Sequence, residues 1–230
     1  MLRENKKQHK PKNKKSKKDD KNIYLAMQET AKYIEDKFDF SVNFANYEIC
    51  FEKNINYEYM INFIKRNSKR KEFDNSFNDR NIKPDGGILS LIKKDEVGNV
   101  IEKFPILISE IKRQGTNDAR LKEGKKRQAT GNAIERLGKN LTGIKAMMAS
   151  ENITPFVCFG WGCDFAKDSK TVLSKVIMMN EFYPLNKIYI WKRDGFSPVS
   201  MFFREEIWTS DEMIDIMKEI AEASIRYYLY

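Results

Sequence analysis

Nine residues, Phe104 to Lys112 (FPILISEIK), constrain this chain more than any other stretch. The Ile106-Leu107-Ile108 centre reads as a buried strand, yet the run ends in Glu110 and Lys112. Alternation along a strand puts Glu110 and Lys112 on one face and Ile111 on the other. Upstream, Gly87 to Ile92 (GILSLI) reads as a second strand, and the KKDEVGN segment between the two carries Gly98 and reads as a turn. The pair is therefore expected to be a hairpin. Asp85 stands where the first strand begins, in Pro84-Asp85-Gly86-Gly87, and the two glycines remove side-chain bulk beside it. Pairing of the strands brings Asp85 toward Glu110.

Two carboxylates with room for waters suit Mg²⁺, an octahedral, oxygen-seeking ion that also takes phosphate oxygens. Such an ion lowers the pKa of a bound water and offsets charge growing on phosphorus. Lys112 would orient that water or stabilise the pentacoordinate oxygens. Other chemistries have few residues to stand on. The only histidine, His9, lies in a lysine-rich tail, and Cys50, Cys158 and Cys163 form no CxxC pair. Histidine bases and zinc sites are thereby excluded from an ordered core. Each fragment alone has a plainer reading: Glu-x-Lys on a strand is commonly a salt-bridged surface pair, and Pro-Asp-Gly-Gly is usually a turn.

The formal charge of +9 is concentrated at the start of the chain. Residues 1–21 hold ten Lys or Arg against Glu4, Asp19 and Asp20, a net +7 that leaves +2 elsewhere. Such a block is expected to be a disordered arm: a solvated tail, a polyphosphate-binding arm or one drawn to an anionic membrane surface. Residues 22–230 are expected to form one domain. No run approaches the roughly 18 to 20 apolar residues of a membrane helix, and no apolar secretory stretch opens the chain, so the expected compartment is the cytosol.

Helical spacing of Ile23, Tyr24, Met27, Ala31, Ile34 and Phe38 predicts a first helix, and Tyr57 to Arg66 a second. A polar loop over 67–83 leads into the hairpin. Beyond it the pattern predicts a helix over Asn132 to Ser150, a buried strand at Pro155 to Trp161, a helix near 171–183, and a strand at Lys187 to Trp191. A last helix, Asp211 to Leu229, has a capping box from Thr209 and Glu212. The order is that of an α/β fold. In the helix after Gly131, Ile134, Leu137, Leu141, Ile144 and Met148 share one face, and Asn132, Glu135, Arg136 and Lys139 lie opposite. Asn, Glu and Arg can all read base edges in a major groove, and a helix N-terminus favours phosphates. The same pattern describes an ordinary amphipathic helix with a charged outer face.

Three segments, in order, resemble the EcoRI family of type II restriction endonucleases: Ile82-Lys83-Pro84-Asp85-Gly86-Gly87-Ile88, Glu110-Ile111-Lys112-Arg113-Gln114-Gly115, and Gly131-Asn132-Ala133-Ile134-Glu135-Arg136. The resemblance implies an α/β fold with a central mixed five-stranded sheet flanked by helices. It implies a PD-(D/E)xK site in which Asp85, Glu110 and the Ile111 carbonyl hold Mg²⁺ and Lys112 is the catalytic lysine. Asn132, Glu135 and Arg136 match the family's readers of a central AATT, with Ala129 and Ala133 near the bases. Gln114, Lys125, Lys139 and Lys175 are the further expected DNA contacts. A homodimer on palindromic double-stranded DNA, basic arms embracing it, and a cognate DNA methyltransferase as functional partner are also implied. Two stretches depart from the family: 164–183 is shorter, with Lys175 and Met178 where an arginine-containing reader of the outer base pair is expected, and Thr116 to Gln128 differs. The competing readings are a sequence-independent PD-(D/E)xK repair or junction nuclease and a non-catalytic basic DNA-binding protein.

Overall fold

The hairpin lies within the sheet that carries Glu110. In the computed structural model, described over residues 14–67, 81–115, 117–126, 132–162, 186–192 and 199–230, strands β4 (Gly87–Lys94) and β5 (Val100–Arg113) pair antiparallel. Pro105 lacks the N–H that a central ladder needs, and the register slips there. Ser90 pairs with Pro105 and Leu89 with Leu107, leaving Ile106 as an extra residue, which is the usual accommodation for a proline inside a sheet.

Around this pair the sheet is completed in the order β1-β4-β5-β6-β7, with β1 (Tyr47–Glu52), β6 (Phe156–Trp161) and β7 (Ser200–Arg204). The β1 and β4 strands are antiparallel, while β5, β6 and β7 run parallel, so the mixed five-stranded sheet is as expected. Its outer members are not the expected ones. Neither β1 nor β7 stands out in the sequence, whereas the strand expected at Lys187 to Trp191 contributes only isolated bridges, Lys187 to Met201 and Ile153 to Trp191. Asn186 turns the chain with a φ of +62°; its N–H donates to the Met201 carbonyl at 2.8 Å and its side chain accepts from the Phe203 N–H at 3.0 Å. That anchors the segment on β7, which itself takes the place beside β6. A small second sheet pairs β2 (Ile55–Asn56) with β3 (Asn81–Ile82), the strand that leads into Pro84.

Helix α1 (Lys14–Phe38) begins eight residues earlier than the expected arm allows. Asp19 shows that this part of the arm is packed on the domain: it is 4% exposed and lies near Arg113 at the end of β5. Burial, its dominant influence, raises the Asp19 pKa against the pull of Arg113. Helix α1 buries Ile23, Ala26, Met27, Thr30 and Ile34 and packs along α5 (Ser210–Leu229), with the Tyr33 hydroxyl donating to Glu222 at 2.6 Å. The α5 N-terminus carries the expected capping box of Thr209 and Glu212. On the other face lie α2 (Tyr57–Asn67) and α4 (Asn132–Met147), whose Ile134, Leu137, Leu141 and Ile144 are buried as their spacing requires; the short α3 (Asn117–Lys122) follows β5 in the chain. The helix expected near 171–183 lies outside the described residues. Among the described residues no helix is long and apolar enough to cross a membrane.

Candidate active site

Asp85 reaches β5 because the backbone before β4 is pressed onto it. The Gly86 N–H donates to the Ser109 carbonyl at 3.0 Å, and the Gly87 N–H closes a turn onto the Pro84 carbonyl at 3.1 Å. Only glycines permit that approach. A Cβ on Gly86 would stand 2.0 Å from the Ser109 hydroxyl, and Gly87, at φ +85°, would put one 2.5 Å from the Glu52 carbonyl. The glycines thus make room for neighbouring parts of the protein itself: the Ser109 and Ile23 side chains at Gly86, and the β1 backbone and Phe51 ring at Gly87.

The structure brings Asp85, Glu110 and Lys112 together. The Lys112 ammonium donates to Asp85 Oδ2 at 2.6 Å and also pairs with Glu110 Oε1. Glu110 Oε2 accepts from the Asp85 backbone N–H at 3.1 Å, and Oε1 also accepts from Asn140 Nδ2 on α4 at 3.1 Å. Glu110 is fully buried, and burial, with the like charge of Asp85, pushes its pKa up to about 7 against the pull of Lys112. For Lys112, burial is the largest influence and lowers the pKa, but the two carboxylates outweigh it and the net shift is upward, so the ammonium is held cationic. Cys158 sits opposite Glu110 on β6; complete burial pushes its thiol up, which makes it inert.

The donor set fits a hard cation. A buried carboxylate is tolerated when it is paired or holds a metal, and Asp85 has one oxygen, Oδ1, with no hydrogen-bond partner among the described residues. Among those residues no group of three His, Cys, Asp or Glu is placed to hold a metal ion, so a bound ion would draw its other ligands from backbone carbonyl, water and substrate oxygens.

Asp85 opens onto a cleft of about 360 Å³ lined by Lys21 and Tyr24 of α1, Lys53 and Asn54 after β1, and Lys83. All three lysines are exposed, and none has an ion-pair partner among the described residues. Lys21 belongs to the basic arm and Lys83 to the segment before Asp85, but the sequence did not group them with Lys53, since the three lie about thirty residues apart. Asn140 was also missed; its signal is a polar side chain bordering the apolar face of α4, about 60° from Leu137 under the opposite sense of winding from Leu141.

The expected DNA-contact residues are dispersed. Asn132, Ala133 and Glu135 lie in the first turns of α4, and Arg136 and Lys139 are exposed on that helix. Gln114 is 9% exposed, and Lys125 is exposed and paired with Glu123 at 2.6 Å. Ala129 and Lys175 lie outside the described residues.

Comparison with known proteins bears on the whole arrangement. Residues 8–176 match the family described as restriction endonuclease EcoRI. The type II restriction enzyme RsrI of Cereibacter sphaeroides is 32% identical over 181 residues, 63% of each chain. The type II restriction enzyme EcoRI of Escherichia coli is 35% identical over 99 residues, 40% of this chain and 34% of that protein. The chain therefore aligns with less than two thirds of the length of either relative. The family match covers the β3–β4 turn, β5 and α4, the segments that carry Asp85, Glu110, Lys112 and Asn140. The chain belongs to the restriction endonuclease EcoRI family.

Proposed function

We propose that this chain is a magnesium-dependent type II restriction endonuclease that cuts both strands of a short palindrome containing AATT and leaves 5′ overhangs. What carries this reading is the Lys112 ammonium held between the Asp85 and Glu110 carboxylates beside a lysine-lined cleft. Mg²⁺, when bound, supplies a water of lowered pKa and offsets the charge growing on phosphorus during in-line attack. Asp85 and Glu110 would hold it, with the Ile111 carbonyl as a further ligand. Lys112 keeps its proton and directs its N–H groups at the attacking water or the non-bridging phosphate oxygens, where added negative charge appears in the transition state. Glu110 must give up its proton to serve as a ligand, and the neighbouring ammonium favours that ionised form.

Base reading falls to Asn132, Glu135 and Arg136, with Ala129 and Ala133 against the bases; AATT follows from the likeness of this segment to the family's readers. Lys139, Lys125, Gln114 and Lys175 add DNA contacts. A two-fold homodimer supplies one active site to each strand of a palindrome. A cognate DNA methyltransferase protects the host's sites without stable binding, and the enzyme acts in the bacterial cytoplasm.

The test is digestion of plasmid DNA with and without Mg²⁺, followed by sequencing of the fragment ends. Discrete fragments with AATT in their 5′ overhangs are expected only with Mg²⁺. Overhangs of another sequence would remove the AATT assignment, and a smear of fragments would replace site-specific cutting with a sequence-independent nuclease.

A further inference from the structure

We propose that Asn140 is a positioning residue that couples the seating of α4 on DNA to the placement of the Glu110 carboxylate. The inference rests on the reading of this chain as a site-specific nuclease and adds to it a route from recognition to chemistry.

The Glu110 carboxylate is held by one backbone and two side-chain donors, and they come from two different parts of the molecule. The Asp85 N–H and the Lys112 ammonium belong to the hairpin frame that also carries Glu110. Asn140 Nδ2, at 3.1 Å from Oε1, belongs to α4. It is the contact through which movement of that helix reaches the carboxylate.

Asn140 follows Arg136 by one helical turn and Asn132 by two, about 6 and 12 Å along the axis at 1.5 Å per residue. Arg136 and Lys139 face solvent on the same helix whose Asn140 turns inward. A helix moves as a rigid element over that distance, so a shift imposed at its N-terminal turns arrives at Asn140 undiminished.

A second contact ties α4 to the other carboxylate. Gly143 lies so close to β3 that a Cβ there would stand 2.6 Å from Ile82 Cδ1, and Ile82 precedes Asp85 by three residues. Helix α4 therefore abuts the chain leading to Asp85 and bonds to Glu110 directly. When its N-terminus is seated on the correct bases, both carboxylates are set; when it is displaced, Glu110 Oε1 loses one donor and is left to the hairpin contacts alone. An amide suits the task because it holds an oxygen of Glu110 without adding charge to a site that must still attract a cation.

The test compares wild type, Asn140→Ala and the similarly shaped, uncharged Asn140→Leu on two duplexes: the site that wild type cuts, mapped by end sequencing, and that site altered at one central base pair. Binding is measured in EDTA and cleavage in single-turnover reactions with Mg²⁺. The expected result is binding of the cognate duplex within about two-fold of wild type, cognate cleavage slowed by about 10- to 100-fold, and a smaller loss on the altered duplex, so that discrimination by cleavage rate shrinks. Equal losses on both duplexes would make Asn140 merely structural and overturn the coupling, as would no loss at all. If Asn140→Ala does not fold, Asn140→Leu, which fills the space without a donor or a charge, gives the same reading. A wild type that binds and cuts neither duplex overturns the nuclease reading itself, a result distinct from either outcome for the variants.

Discussion

The backbone N–H of Asp85 donates to Glu110 Oε2 at 3.1 Å, so the residue that supplies one carboxylate also holds the other. Side-chain substitution at Asp85 leaves that backbone bond in place, which separates charge from architecture. Asp85→Asn is expected to fold with near-wild-type stability and bind DNA in EDTA, yet to cleave at least about 100-fold more slowly, the scale of losing one preorganised charge. Lys112→Met is expected to lose as much activity and to acquire a pH-dependent stability defect. Glu110 already has a folded-state pKa of about 7, above its ordinary 4.5, and removing Lys112 lifts it further. The cost of ionising a buried acid is absent below the unfolded pKa, grows between the unfolded and folded values, and levels off above the folded one, so wild type levels off near pH 7 while the variant continues to lose stability. The melting-temperature gap between wild type and Lys112→Met should therefore widen as pH rises through 7, as followed by thermal melts. A gap that stays constant from pH 5 to 8 would show that Lys112 does not neutralise Glu110.

Gly87 and Gly98 both have positive φ, +85° and +89°, but only Gly87 is enclosed. A methyl group on Gly98 meets nothing within 4 Å, whereas on Gly87 it meets the Glu52 carbonyl and the Phe51 ring. Gly98→Ala is expected to cost about 1 kcal/mol, the backbone penalty alone, and to keep full cleavage activity. Gly87→Ala should cost at least about 2 kcal/mol more, because backbone on both sides must move, and should lower cleavage by displacing Asp85. Urea unfolding of the two variants measures the difference. Equal destabilisation would mean that β1 and the Asp85 turn are not packed as closely as they stand here.

Much of this site was readable before any fold was known, and the reason is local. Asp85, Glu110 and Lys112 sit on one hairpin, where strand alternation and a turn set their relation, and α4 and α5 announce themselves by a 3.6-residue period. What was not readable depends on contacts between distant segments. Tyr47–Glu52 mixes apolar and acidic residues with no clean alternation and becomes a strand only because β4 offers it an edge. Lys187 to Trp191 has the composition of a strand, but β7 occupies the place beside β6. The start of α1 was hidden by charge: Lys14 to Lys21 looks unable to fold alone, yet it is helical and Asp19 within it is buried near Arg113. The bond from Asn140 to Glu110 spans thirty residues and two elements, and nothing in either segment announces the other.

Lys21, Lys53 and Lys83 border the cleft beside Asp85 from three separate segments, which suits them to phosphates on one DNA strand. Each lysine that neutralises a phosphate releases counterions, and the slope of log binding constant against log salt changes by about 0.9 per contact on duplex DNA. Lys21→Ala and Lys53→Ala should each flatten that slope by about one unit in EDTA, weaken cognate and non-cognate binding alike, and leave the cut sequence unchanged. Lys53→Ala with an unchanged slope would place the DNA elsewhere.

The capping box of α5 links an acid to stability in a way that salt and pH can both report. The Arg204 guanidinium makes two hydrogen bonds to Glu212, at 2.8 and 2.6 Å, and the Thr209 backbone N–H adds a third at 2.9 Å. Arg204 first, then Thr209, hold the Glu212 pKa at about 2, below its ordinary 4.5. A depressed folded-state pKa contributes stability that is present above 4.5 and is lost as pH falls through 2. Glu212→Gln keeps the shape of the box and removes its charge. The variant should melt below wild type at neutral pH, and the gap should close as pH drops from about 5 to 2, the other carboxylates titrating alike in both proteins. Because Glu212 is 43% exposed, the gap should also narrow in 1 M salt, where the Debye length falls to about 3 Å. A gap that is the same at pH 2 and pH 7 would show that the loss comes from helix capping geometry, with no contribution from the Arg204 pair.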